Sequence, residues 1–151
     1  MTPDERDEAA LPPGAAALGY AGLLPFVAGA LGIALLDGVP QAFAARALLA
    51  YGAVILSFLG AVHWGTELAR AERGAAGRLA AGVLPSLAGW VALLLPQRHG
   101  LALLVAALGA FWLYEHRVLG ASRLTPGYLG LRRNLTLAAC SLLALGLIAL
   151  G

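Results

Sequence analysis

The sequence predicts an all-α fold: a polytopic membrane protein built as a bundle of about five transmembrane helices. Two observations carry this expectation. Hydrophobic types make up 60% of the 151 residues and charged types only 12%, against about 25% charged in an average soluble chain. The apolar residues also gather into five long runs, at 15–36, 43–69, 79–95, 101–118 and 131–150. A helix rising about 1.5 Å per residue needs roughly 20 such residues to cross the hydrocarbon core. Transmembrane strands need about 10 residues with strict alternation, and these runs are longer and apolar on all sides. In lipid the backbone must satisfy its own hydrogen bonds, so helices are the solution left.

Taken in order, residues 1–14 form an expected acidic tail that opens MTPDERDE and closes with Leu11-Pro12-Pro13-Gly14, a sequence that stops regular structure. A secretory signal opens with basic residues and a transit peptide is rich in Arg, so no cleaved targeting signal is expected. Residues 15–151 are read as one transmembrane domain. The first span contains Pro25 and the third contains Pro85, either of which can kink a helix where neighbours satisfy the freed carbonyls. Turn chemistry separates the spans at Asp37-Gly38-Val39-Pro40, at Arg73-Gly74 with Gly77, from Pro96 to Gly100, and at Gly120 with Thr125-Pro126-Gly127. In the second span Ala53, Ser57, Ala61 and Gly65 recur every four residues, with Gly52 and Gly60 beside them. Such a ridge lets helix backbones approach closely, which places this span at the bundle centre. No internal repeat of the inverted-transporter kind is visible.

All ten basic residues are Arg. Arg6, Arg70, Arg73, Arg78, Arg117, Arg123, Arg132 and Arg133 fall on one side of a five-span arrangement, and Arg46 and Arg98 on the other. Short Arg-rich loops stay cytoplasmic, so the N-terminus is expected in the cytoplasm and the C-terminus in the periplasm. The net charge of +2 gives no basic face for nucleic acid, and no nucleic-acid partner is expected. The one cysteine, Cys140, allows neither an intramolecular disulfide nor a multi-Cys metal site.

Titratable groups at membrane depth are costly and are therefore candidates for function. His63 and Glu67 are four residues apart on one helix face. Counted from the middle of its span, His63 lies roughly 10 Å toward the Arg-rich side, inside the hydrocarbon. Tyr114, Glu115 and His116 end the fourth span, and Arg132, Asn134 and Thr136 open the fifth. With Trp64, these nine residues form the expected polar pocket facing the cytoplasm, in which His63 binds a proton or helps bind a small ligand. A metal held by His63, Glu67, Glu115 and His116 is disfavoured because Glu115 and His116 are adjacent, about 100° apart on a helix, whereas bundle sites use Glu-x-x-His. Haem ligation by His63 and His116 would require both rings in one cavity. No cofactor or metal is expected, and with no G-x-S-x-G, H-E-x-x-H or Gly-rich phosphate loop the chain leans away from being an enzyme.

Three stretches resemble one family: residues 50–65 (AYGAVILSFLGAVHWG), residues 18–26 (LGYAGLLPF) and residues 126–136 (PGYLGLRRNLT). They are similar to the transmembrane protein 69-like family, catalogued as domain of unknown function 3429, and the resemblance runs from about Leu18 to Leu150. It implies a bacterial or mitochondrial inner-membrane protein of about five helices without an established activity. It directs attention to Gly60, His63, Trp64, Gly65, Tyr128, Arg132 and Thr136. Where the family often carries Trp near the position of Tyr128, this chain has Pro126-Gly127. The acidic tail favours the bacterial inner membrane. Two functions are weighed: a proton- or ligand-binding membrane protein with its site around His63, and a structural or assembly subunit of a larger inner-membrane complex. The second would pack through Gly52, Ala53, Ser57, Gly60, Ala61 and Gly65 against a membrane-protein partner or a second copy.

Overall fold

The computed structural model describes residues 11–70, 76–119 and 125–151. The expected tail over residues 1–10, the Arg73-Gly74 turn and Gly120 lie outside the described residues. Among the described residues six α-helices follow in order: α1 Ala15–Ala21, α2 Leu24–Leu35, α3 Gly38–Arg70, α4 Ala76–Leu94, α5 Gln97–Tyr114 and α6 Pro126–Ala149, with a π-helical turn, Glu115–Leu119, closing α5. There is no strand among the described residues. Counting α1 with α2, five segments are long and apolar enough to cross a membrane: Ala15–Leu35, Gly38–Arg70, Ala76–Leu94, Gln97–Val118 and Pro126–Ala149. The fold is an all-α bundle and the protein is a multi-pass membrane protein.

Helix ends follow local chemistry. Pro25 does not kink a continuous helix; it occupies the first turn of α2, where its missing N–H has no carbonyl to lose. The break it imposes separates α1 from α2, and the Tyr51 hydroxyl on α3 donates to the Gly22 carbonyl there at 2.9 Å. Pro85, by contrast, lies inside an unbroken α4. Gly38 opens α3 at φ +64°, a left-handed conformation that suits glycine. Only Leu95 and Pro96 separate α4 from α5, so the expected break from Pro96 to Gly100 is shorter than the apolar run suggested. Gln97, Arg98 and His99 form the first turn of α5, whose amides need no intrahelical acceptor. Thr125 caps α6, its hydroxyl accepting from the Tyr128 amide at 3.3 Å.

The helices alternate in direction, which brings the start of α4, the end of α5 and the start of α6 to the Arg70 end of α3. Packing is closest between α3 and α4. Any Cβ at Gly60 would collide with the Gly82 carbonyl, and one at Gly89 would stand 3.1 Å from the Ala53 carbonyl. Gly52 gives way to Leu104 in the same manner, where a Cβ would come within 2.7 Å. Close approach of this kind supplies dispersion in lipid, where no hydrophobic drive acts between helices. The apolar core is made of fully buried Phe26, Ile33, Leu48, Leu56, Leu101, Leu104, Leu108 and Leu143.

Candidate functional site

Each of three helices carries a buried stripe, and each stripe turns polar at the same level. On α3 the buried positions run Leu56, Gly60, His63, Glu67; on α5 they run Leu101, Leu104, Leu108, Phe111 and on to Glu115; on α6 they run Arg132, Thr136, Ala139, Leu143. The spacing of three and four residues keeps each set on one helix face. Glu115, Arg132 and His63 are therefore core positions filled by charged or titratable side chains, exposed by only 1%, 5% and 5%.

They meet directly. His63 Nε2 stands 2.7 Å from Glu115 Oε1, and Arg132 Nε stands 2.9 Å from Glu115 Oε2. An ionised carboxylate only accepts, so His63 donates through Nε2 in this arrangement. Arg132 Nη1 donates to Thr136 Oγ1 one turn along α6. Tyr128, one turn before Arg132, lies close enough to interact with Arg132 and Glu115. The Phe111 ring meets the imidazole edge to face, with centroids 5.0 Å apart, and so holds it from the apolar side. One turn beyond His63, Glu67 pairs with Arg78 of α4 at 2.7 Å. The Glu115 carboxylate and Arg132 guanidinium balance in charge, which is the condition under which buried ions are tolerated. The guanidinium is not saturated: Arg132 Nη2 is buried without a hydrogen-bond partner among the described residues.

Of the nine pocket candidates, the structure brings His63, Glu115, Arg132 and Thr136 together, with Glu67 in the adjoining layer. Three others lie apart and Tyr114 flanks the centre. Trp64 is 40% exposed and its indole N–H donates to the Leu79 carbonyl. His116 is exposed and stacks on Trp112, since it follows Glu115 around the turn and points away when Glu115 points in. Asn134 is exposed and reaches the Tyr20 hydroxyl at 3.4 Å, while Tyr114 flanks the centre by stacking on Phe111. Of the packing candidates, Gly52, Ala53 and Gly60 are buried and Ser57 is half-buried, its hydroxyl donating to the Ala53 carbonyl. Ala61 and Gly65 are exposed, and a Cβ at Gly65 would meet nothing within 4 Å. Among the described residues no group of three His, Cys, Asp or Glu side chains converges as a metal site. Arg78, Phe111 and Tyr128 join the centre without having been among its candidates. The buried stripe through Leu104, Leu108 and Phe111 was the signal for Phe111.

A family model described as protein of unknown function, DUF3429, matches residues 11–148. The chain belongs to this family. Neither the curated proteins nor the solved structures contain a match. In this DUF3429 protein the matched stretch takes in all the described helices but the last residue of α6, and with them the whole polar centre.

Proposed function

We propose that this protein is a bacterial inner-membrane protein that binds a proton or a small ligand at the buried centre of His63, Glu115 and Arg132. We place its N-terminus in the cytoplasm and its C-terminus in the periplasm, so that the centre faces the cytoplasmic side. The observation that carries the reading is a contrast within one molecule. Away from this level the described helices pack mostly through apolar side chains and close glycine contacts, as at Gly89 with Ala53 and Gly52 with Leu104, so the bundle does not need a buried charge cluster to hold together. Yet three helices each place an ionisable group in one buried cluster, at a cost that membrane depth makes large. The polar layer ends there. Toward the other end the core is Leu56, Leu104, Leu108 and Leu143, and the buried polar or charged side chains among the described residues are His63, Glu67, Glu115, Arg132 and Thr136. A one-sided centre of this kind suits binding and not conduction across the bundle.

The test is native mass spectrometry on protein extracted in mild detergent, comparing wild type with His63→Gln. Loss of a co-purifying small molecule from a normally folded variant supports the ligand reading and identical bound content in both forms refutes it; the proton reading is refuted if His63→Gln leaves the pH dependence of thermal stability unchanged. The assembly-subunit reading keeps one specific support, the exposed Ala61 and Gly65 on the outer α3–α4 face beside Gly82 and Ser86. It predicts a stable protein partner in the same preparation.

A further inference from the structure

Beside the polar centre lies a cavity of about 180 Å³, enclosed by α2, α3, α5 and α6 and by the α1 region. Its wall is apolar, with Leu23, Phe26, Ile55 and Leu59, and the two polar side chains that line it are Arg132 and Thr136. Both offer donors. Thr136 Oγ1 already accepts from Arg132 Nη1, and its hydroxyl can itself donate; Arg132 Nη2 is buried without a hydrogen-bond partner among the described residues. No carboxylate lines this space, so its polar wall is matched best by a molecule that brings an oxygen that accepts.

Three further observations narrow its chemistry. Arg132 is already matched in charge by Glu115, which favours an uncharged acceptor over an anion. Thr136 lies five residues into the apolar run 131–150, about 7–8 Å along the helix. That is one turn beyond the exposed Arg133 and Asn134 and inside the hydrocarbon, whereas the ester groups of a glycerolipid sit at its boundary. The cavity is also open to the bilayer: its rim residues Leu18 and Phe58 are 77% and 61% exposed, and α1 beside it contains no buried residue.

We propose that this cavity binds a membrane-soluble lipophile carrying an uncharged carbonyl oxygen, of the long-chain ketone or quinone kind. The oxygen accepts from Thr136, the chain lies against Leu23, Phe26 and Ile55, and entry is lateral past α1. The site shares Arg132 and Thr136 with the polar centre but goes beyond the His63 reading, because its ligand is read from the Thr136 hydroxyl and the apolar wall and it can fail or hold separately.

The experiment uses the full chain in nanodiscs, photolabelled with a long-chain methyl ketone carrying a mid-chain diazirine, with sites mapped by mass spectrometry. Labels should fall on α1, α3 and α6 around the cavity and be displaced by 2-tridecanone or a decyl-benzoquinone, but not by n-tridecane. Thr136→Val should reduce labelling about three- to tenfold, the worth of one hydrogen bond, and Thr136→Ser should restore it. Ala139→Leu, which fills the cavity without touching its polar wall, should reduce labelling too. Equal labelling in Thr136→Val, displacement by n-tridecane as effective as by the ketone, or labels spread evenly over the lipid-facing surface would each overturn the proposal.

Discussion

Removing the Glu115 charge exposes the energetics of the centre. The carboxylate touches His63 at 2.7 Å and Arg132 at 2.9 Å. With charge centres about 4 Å apart, the Arg132 attraction alone is about 4 kcal/mol at an effective dielectric of about 20. Glu115→Gln keeps the shape but leaves a buried guanidinium unpaired, an outcome that costs about 3–5 kcal/mol. At about 2–4 °C per kcal/mol for a chain of this size, the melting temperature should fall by about 6–20 °C. Converting the pair together, Glu115→Leu with Arg132→Met, removes both charges and should recover most of that loss, apart from about 1–3 kcal/mol for the acceptor His63 loses. The assay is thermal unfolding in detergent with a thiol-reactive dye, since Cys140 is the one cysteine and is partly buried. A drop of less than about 2 °C for Glu115→Gln, under 1 kcal/mol, would refute the buried ion pair. A double variant as unstable as the two single losses summed would do the same.

Glycine positions separate sharply. Gly60→Ala drives a Cβ into the Gly82 carbonyl and should lower the melting temperature, whereas Gly65→Ala meets open space and should change it little; overpacking of this kind costs about 1–3 kcal/mol. The same melting assay on both variants decides the point, and equal shifts would count against the α3–α4 crossing. Tyr51→Phe removes the donor to the Gly22 carbonyl and should destabilise the break between α1 and α2 by about 1 kcal/mol, seen as faster amide exchange around residues 20–24. A reporter fused after Gly151 should read periplasmic and one inserted at Gly74 cytoplasmic; the inverse pattern overturns the orientation and puts the polar centre on the other side.

Much of this architecture is written locally, and the part that is not depends on how helices rotate against one another. The five spans are legible because apolar run length alone sets them. Their ends shift by several residues because helices continue through interfacial groups such as Gln41 and Gln97, whose amides bond the Ile33 and Ala42 carbonyls. His63, Glu115 and Arg132 stand out as ionisable groups at depth, and the three-four spacing through Leu104, Leu108, Phe111 and Glu115 shows which way Glu115 must face. Their pairing is different in kind. Nothing within one span says that Glu115 rather than Glu67 meets Arg132, or that Arg78 meets Glu67; those choices follow from the packing of α4 on α3 and of α6 on α5. The same reason separates Gly60 from Gly65, which share a helix and a residue type but face a neighbouring backbone and open space respectively. Pro25 was visible as a perturbation, but whether it bends a helix or starts one is decided by the Tyr51 hydroxyl that satisfies the freed carbonyl from a different span.

The most direct test of the central claim is NMR of the protein with ¹⁵N-labelled histidine in detergent micelles. The account predicts one ring N–H, from His63 Nε2, that is shifted downfield by its short bond to Glu115, slow to exchange with water, and lost in Glu115→Gln. A spectrum in which all three histidines exchange rapidly with solvent, or in which Glu115→Gln leaves the protected proton unchanged, would contradict it.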